Sequence, residues 1–142
     1  MNKTLLLLTL LLPSVTWANN YADVIETRQK VFSLIEEQLD SANDLIDGDD
    51  TDWQQLEQVA KQLTDASQTL TTSFPQGSHD GSKANEKIWQ DPAKFEQLMT
   101  KMDQGISQLY QASQQRNVDM AEEGIERAED TCRNCHRSYR SR

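Results

Sequence analysis

Three residues near the C-terminal end of the chain have the types and the spacing needed to hold a metalloporphyrin. Cys132 and Cys135 are three positions apart, and His136 follows directly, which gives the pattern C-x-x-C-H. Side chains three and four positions apart share one face of a helix, so both thiols can reach one flat ligand while the imidazole turns to its metal. The pattern is typical of covalent haem attachment. It predicts one haem c per chain, bound through Cys132 and Cys135, with His136 as the iron ligand.

Paired cysteines also occur in disulfides, zinc sites and redox centres, and the sequence offers little support for any of these. A disulfide between residues so close in sequence would stabilise little, because the entropy that it removes scales with loop length. A zinc site needs four ligands, and the only other histidine is His79. A thioredoxin-like redox pair belongs to a βαβ context, which this sequence lacks. A non-haem Cys/His metal or redox protein stays as the alternative.

The start of the chain has the layout of a secretory signal peptide. Lys3 carries a positive charge, an apolar run follows from Leu5 to Leu12, and residues 16–18 read Thr-Trp-Ala, a small-x-small cleavage site. The run is shorter than the roughly 20 residues that span a bilayer, so a membrane anchor is not expected. Residues 1–18 are therefore predicted to be a signal peptide and residues 19–142 a periplasmic domain.

The charge balance is strongly acidic. The whole chain has a formal charge of −9, and loss of the signal peptide removes one lysine and no acid, which leaves 13 basic and 23 acidic residues, or −10. Such a protein repels nucleic acid and anionic membrane surfaces, so neither is an expected partner. A basic redox partner protein stays possible, although we interpret the charge mainly as a contribution to solubility.

Apolar residues recur at steps of three and four in four segments, the pattern of helices that each bury one face. The segments run from Val24 to Ile46, from Trp53 to Leu70, from Phe95 to Tyr110 and from Val118 to Tyr139. The connection between the second and third segments is long, covering residues 72–90, and the other two are short, so they join antiparallel neighbours. The sequence predicts an all-α protein, an antiparallel four-helix bundle that carries one covalently bound haem.

Residues that begin helices support this division. Pro92 after Asp91 predicts the start of the third helix, and Asn117 predicts the start of the fourth. Thr51 and Gln54 match a capping box for the second helix.

The two sides of the iron differ in their candidate neighbours. A low-spin electron carrier needs a sixth ligand, usually Met or His, and the candidates are Met99, Met102, Met120 and His79. No candidate stands out, since the methionines suit core packing and Met120 is about 18 Å along its helix from the attachment motif. The sixth position is therefore predicted to be open or blocked by protein.

A basic side chain follows the motif at helical spacing. Arg140 lies four residues after His136, on the same face of a continued helix. Arg140 can flank the proximal side of the haem. Its alternative role is a favourable interaction with the negative end of the helix dipole.

From its mature N-terminus to its C-terminus, the sequence resembles the cytochrome c prime family, the class II c-type cytochromes. Four segments carry the resemblance: Arg28 to Phe32 (Arg-Gln-Lys-Val-Phe), Phe74 to Ser78 (Phe-Pro-Gln-Gly-Ser), Ile88 to Phe95 (opening Ile-Trp-Gln-Asp) and Cys132 to Arg140. The resemblance implies a four-helix bundle with a high-spin, five-coordinate iron that is exposed on the histidine side and crowded on the other.

The resemblance also implies roles for four further residues. Arg28 matches the arginine near a haem propionate, and Gln29 matches its neighbour at the haem edge. Phe32 matches the distal position that faces the iron, where a phenyl ring cannot coordinate. Lys83 is a weaker candidate for haem contact.

The function implied is binding of small gases such as nitric oxide and carbon monoxide, transfer of single electrons, or both. Neither role needs a catalytic residue, so no enzymatic activity is predicted. A six-coordinate, low-spin electron carrier is the alternative within haem proteins. A homodimer is possible, because family members pair through the outer faces of their first two helices.

Overall fold

The computed structural model describes residues 21–142; the predicted signal peptide lies outside the described residues. Four long helices make up most of this part: α1 (Ala22–Leu45), α2 (Trp53–Leu70), α4 (Pro92–Gln115) and α5 (Val118–Tyr139). A short helix, α3 (Lys87–Gln90), lies within the long connection. Among these helices, none has the length and apolarity to cross a membrane. The predicted all-α four-helix bundle is confirmed.

The long helices form a closed ring of neighbours around one core. α1 packs on α2, α2 on α4 and α4 on α5, whereas α1 meets α5 over a much shorter stretch. Apolar side chains on one face of each helix meet inside the ring, as the three- and four-residue steps predict. The most completely buried of these large side chains are Ile35, Leu56, Leu63, Leu70, Ile106 and Leu109.

Two glycines allow α4 and α5 to approach each other closely. A Cβ atom on Gly105 would lie 2.7 Å from the carbonyl oxygen of Gly124, and one on Gly124 would lie 2.8 Å from the backbone nitrogen of Leu109. Both positions are buried. The two backbones therefore touch at a point where no side chain fits between them.

The start of α2 differs from the predicted capping box. The hydroxyl of Thr51 accepts a hydrogen bond from the Asp47 backbone N–H at 3.0 Å and donates one to the Gly48 carbonyl at 2.8 Å. These bonds hold a 3₁₀ turn at Gly48–Asp50. Asp52 caps α2 instead, because its side chain accepts from the Gln55 backbone N–H at 3.0 Å. The predicted start of the fourth helix after Asn117 is confirmed, and the Asn117 side chain caps α5 by accepting from the Met120 N–H at 3.0 Å.

Candidate haem-binding site

A cavity of about 680 Å³ opens between α1 and α5, where these helices make few direct contacts. Its size is within the range of about 300–1,000 Å³ that is usual for ligand and cofactor pockets. α4 and the long connection supply the remaining walls. Every site residue that the sequence predicted lines this cavity: Arg28, Gln29, Phe32, Lys83, Cys132, Cys135, His136 and Arg140.

The two cysteines lie on the α5 wall of the cavity, half-buried and not joined to each other. Burial raises the pKa of Cys135 to about 11, and the neighbouring Cys132 adds to this. Burial also raises the pKa of Cys132, helped by the carboxylates of Glu36 and Glu129. Redox-active cysteine pairs and metal-binding cysteines require the thiolate. The raised pKa values therefore keep both sulfurs as neutral thiols at neutral pH.

The surroundings of the thiols give no support to a zinc site. Among residues 21–142, no group of three or more His, Cys, Asp and Glu side chains is placed to hold a metal ion. His79, the other histidine, does not line the cavity. The geometry instead matches attachment of one flat ligand, with two sulfurs and one imidazole presented along the same helix.

Arg28 crosses from α1 to the long connection and is held there by four hydrogen bonds. One terminal nitrogen donates to the Ser73 carbonyl at 3.2 Å and to the Ser78 hydroxyl at 3.1 Å. The other donates to the Ser78 carbonyl at 2.9 Å and to the Ser82 hydroxyl at 3.0 Å. The guanidinium also lies 4.6 Å from the centre of the Phe74 ring. Arg28 therefore fixes the long connection against α1.

The charge of Arg28 has no protein counterpart nearby. The side chain is 3 % exposed, and in the described part of the chain it forms no ion pair with a carboxylate. Burial alone lowers its pKa. A buried charge is costly unless it is paired. The cavity wall thus contains a cation that an anionic ligand would stabilise.

A chain of aromatic rings runs around the cavity from α1 to α5. Phe32 lies edge-on to Phe74, with ring centres 6.1 Å apart, and Phe74 lies edge-on to Phe95 at 4.7 Å. Phe95 in turn meets Tyr139 at 5.5 Å. Edge-to-face pairs at these distances are favourable. The sequence pattern assigned no role in the site to Phe74, Phe95 or Tyr139, although all three lie in segments that carry the family resemblance.

Arg140 reaches the cavity by a different route from the predicted one. α5 ends at Tyr139, and Arg140 is its C-cap: the Arg140 N–H still donates to the His136 carbonyl at 3.2 Å, but the backbone is extended at Arg140, so the helix does not continue. Its segment pairs with the long connection: Arg140 forms a bridge with Ala84, and the Ser141 N–H donates to the Lys83 carbonyl at 2.8 Å. This pairing places Lys83 and Arg140 side by side at the cavity.

The four candidates for a sixth iron ligand divide into two groups. Met99 and Met102 line the cavity, whereas Met120 and His79 do not. The His79 imidazole lies 3.5 Å from both the Asp80 and the Glu86 carboxylates, and its ring centre lies 5.7 Å from that of Trp89.

A helical bundle whose cavity presents a Cys-x-x-Cys-His segment defines a class, the haem proteins built on four helices. The family described as cytochrome C' matches residues 23–140. The chain belongs to the cytochrome c prime family, whose members are c-type haem proteins. The resemblance predicted from four sequence segments is confirmed. Comparison with curated proteins gives no match.

Solved structures share the fold over nearly their whole length. Cytochrome c prime from Shewanella frigidimarina is 26 % identical, with a TM-score of 0.78, and the match covers 87 % of this chain and 98 % of that one. The protein from Rubrivivax gelatinosus is 19 % identical, with a TM-score of 0.74 and the same coverage. A nitric oxide complex of a variant of cytochrome c prime from Alcaligenes xylosoxidans is 21 % identical, with a TM-score of 0.75 and again the same coverage. The last two comparisons concern the fold alone.

Proposed function

We propose that residues 19–142 form a periplasmic cytochrome with one haem c in the cavity between α1 and α5. Its iron is five-coordinate and high-spin, and it binds nitric oxide and carbon monoxide, passes single electrons, or both. One observation carries the proposal: the same cavity joins Cys132, Cys135 and His136 on α5 with the buried, unpaired charge of Arg28 on α1. Haem needs these two kinds of partner, because it combines a metal and vinyl groups with anionic propionates.

The α5 wall would hold the haem. Each thiol, Cys132 and Cys135, would add across one vinyl group, so that the sulfur and its hydrogen would end on neighbouring carbons and no oxidant would be required. The His136 imidazole is the protein ligand to iron. When bound, haem iron supplies reversible one-electron reduction and a position for diatomic gases.

The α1 wall and the long connection would complete the pocket. Arg28 supplies positive charge toward a propionate, and its link to Ser78 and Ser82 keeps the guanidinium in place. Gln29 lies at the exposed edge of the cavity and Lys83 at its mouth. These three side chains orient the haem by its polar rim.

The distal side is proposed to be closed by Phe32. A phenyl ring has no lone pair for iron, so it fills space without coordinating. Phe74 supports the ring from the long connection, at 6.1 Å between ring centres. An entering gas molecule must displace Phe32 against this support.

We propose the periplasmic location from the first 18 residues together with the C-x-x-C-H motif. Haem is attached to C-x-x-C-H proteins outside the cytoplasm, which agrees with a signal peptide at residues 1–18. Neither gas binding nor electron transfer needs an acid–base pair, and we propose no enzymatic role.

Covalent attachment is tested by the mass and colour of the purified protein. We expect one haem per chain that survives acid–acetone extraction. Haem that is extracted, or a colourless protein isolated from a strain able to mature c-type cytochromes, would contradict the proposal.

A six-coordinate, low-spin electron carrier is the second candidate, because Met99 and Met102 line the cavity. If one of them ligates iron, its replacement by Leu will convert a low-spin spectrum into a high-spin one. In the five-coordinate protein, Met99→Leu and Met102→Leu will leave the spin state unchanged.

A further inference from the structure

Five exposed cations gather at one end of the bundle, where the cavity opens. We define this basic end by its side chains: Lys83, Lys87, Arg137, Arg140 and Arg142. None of them takes part in an ion pair within residues 21–142. Nearby Arg133 differs, because it pairs with Glu129 and Asp130. Glu86 lies between Lys83 and Lys87 in the sequence, but its carboxylate contacts His79 at 3.5 Å. The five cations outnumber it, so the basic end keeps positive charge that is available to a partner.

Two chain segments bring these cations together. The Asn85 N–H donates to the Tyr139 carbonyl at 3.0 Å, and the Asn85 side chain donates to the Ser138 carbonyl at 3.2 Å. With the bond from Ser141 to Lys83, these contacts lay residues 83–87 along residues 138–141. Lysines of the long connection and arginines of the C-terminal segment thus share one surface beside His136.

The opposite end of the bundle is acidic. It consists of the turn between α1 and α2 and the junction between α4 and α5. Its acidic residues are Asp44, Asp47, Asp49, Asp50, Asp52, Asp119, Glu122 and Glu123. Among residues 21–142, the one basic residue at this end is Arg116, at the end of α4. The unpaired basic side chains and this acidic group therefore lie at opposite ends of the bundle, while Glu36, Asp40 and Glu129 line the cavity on its α1 and α5 sides.

We propose that the basic end docks an acidic surface patch of a redox partner protein and guides it to the haem edge. This inference rests on the proposed electron transfer by haem. It differs from the expectation drawn from net charge, which favours a basic partner. Local charge decides the contact, because at physiological ionic strength the Debye length is about 8 Å and the distant acidic end is screened.

A compact acidic patch fits this surface better than an extended polyanion does. Taking the five cations out of the total of −10 leaves −15 on the rest of the mature chain. A membrane or a nucleic acid extends past the basic end and meets that charge. An acidic patch on a protein, if it is similar in size to the basic end, avoids contact with this negative charge.

Two small reductants of opposite charge measure the local electrostatic potential at the haem edge through the salt dependence of their reaction rates. Ferric holoprotein is reduced by the dianion ferrous-EDTA or by the dication hexaammineruthenium(II), at ionic strengths from about 10 mM to about 1 M. We expect salt to slow reduction by ferrous-EDTA and to speed reduction by the ruthenium complex. The opposite salt dependence, as net charge predicts, would overturn the proposal.

Two double variants with the same change in net charge give the matched comparison. Lys87→Gln with Arg137→Gln alters the basic end, and Lys101→Gln with Arg127→Gln alters exposed cations on α4 and α5 that likewise form no ion pair within residues 21–142. We expect the first pair to slow reduction by ferrous-EDTA about threefold or more at low salt, and the second pair to change it little. Equal effects of the two pairs would overturn the proposal.

Soluble poly-glutamate serves as a probe for acidic protein surfaces. We expect it to slow reduction of the wild type by ferrous-EDTA and to have less effect on Lys87→Gln with Arg137→Gln. Preferential binding to phosphatidylglycerol vesicles would instead identify an anionic membrane and overturn the protein partner. Absence of haem from the purified protein would overturn the proposed function and this inference together. If the protein contains haem but salt speeds its reduction by ferrous-EDTA, as its net charge predicts, the docking surface alone is overturned.

Discussion

α5 faces two neighbours, and its two contacts are built in opposite ways. On the α4 side, Gly105 and Gly124 leave no room for even one Cβ atom between the backbones. On the α1 side, half-buried Cys132 and Cys135 face Phe32 across a cavity of about 680 Å³. α5 therefore touches α4 closely, because the two glycines have no side chains, and is separated from α1 by the cavity. We call these the closed side and the open side of α5.

This difference shows how a bundle of ordinary size makes space for a flat cofactor. Interiors pack at crystal-like density, so a cavity of this size needs surrounding contacts that keep its walls apart. The glycine contact brings α5 close to α4, and the ring contacts of Phe74 with Phe32 and Phe95 connect the α1 wall to the long connection and α4. Changes on the open side are expected to alter haem and gas binding, whereas changes on the closed side are expected to alter stability.

The largest effect is expected from removing both attachment points. Cys132→Ser with Cys135→Ser should give a colourless and poorly folded protein, because the open side would then have nothing to close around. Absorbance and denaturing gels stained for haem measure this directly. Retention of covalently bound haem in the double variant would show that the attachment site lies elsewhere.

Loss of the iron ligand should separate attachment from coordination. His136→Ala is expected to keep haem bound through the two cysteines and to lose the native spectrum. His79→Ala is the matched control, since His79 does not line the cavity. An unchanged spectrum in His136→Ala would transfer the ligand role to another residue.

The closed side is tested by adding one methyl group. Gly105→Ala would place its Cβ 2.7 Å from the Gly124 carbonyl oxygen. Overpacking of this kind typically costs about 1–3 kcal/mol, despite the better helix propensity of alanine. Denaturant unfolding measures the change, with exposed Gln97→Ala on α4 as the control. Equal stability of the two variants would show that the α4–α5 contact relaxes easily.

The gas affinity of the open side should depend on Phe32. Truncation to Ala removes the ring that a ligand must displace, a gain typically worth about 1–3 kcal/mol, or roughly 5- to 150-fold. We expect carbon monoxide affinity to rise by about one decade or more in Phe32→Ala. Stability should fall by at most about 3–5 kcal/mol, the cost of truncating a fully buried ring.

A second substitution at the same position tests whether the ring lies over the iron. In Phe32→Met, a sulfur within reach would turn the iron low-spin. Equal carbon monoxide affinities for wild type and Phe32→Ala, together with a high-spin Phe32→Met, would make Phe32 an ordinary packing residue.

Local patterns in the sequence were sufficient for the helices and for the identity of the site. Each long helix follows an apolar period, and the attachment motif is contiguous, so neither depends on distant contacts. The cap at Asn117 is likewise a local signal. The cap of α2 was displaced to Asp52 because Thr51 is engaged by the preceding 3₁₀ turn, which the apolar pattern does not reveal.

Features made by distant segments could not be predicted in the same way. The bonds from Arg28 to Ser78 and Ser82 span about fifty positions, and the serines carry no distinguishing signal. The extended pairing of Arg140 with Ala84 required knowing where α5 ends and where the long connection lies. The family resemblance indicated Arg28 and Phe32 as site residues, but not what holds them in place.

The proposal of a haem with an open sixth position is tested most directly by one spectrum. The purified protein is reduced, and its visible spectrum is recorded before and after carbon monoxide is added. We expect broad high-spin bands that become a low-spin carbon monoxide spectrum, with the haem still attached after extraction. Sharp low-spin bands before the gas is added, unchanged by it, would contradict a five-coordinate iron behind Phe32.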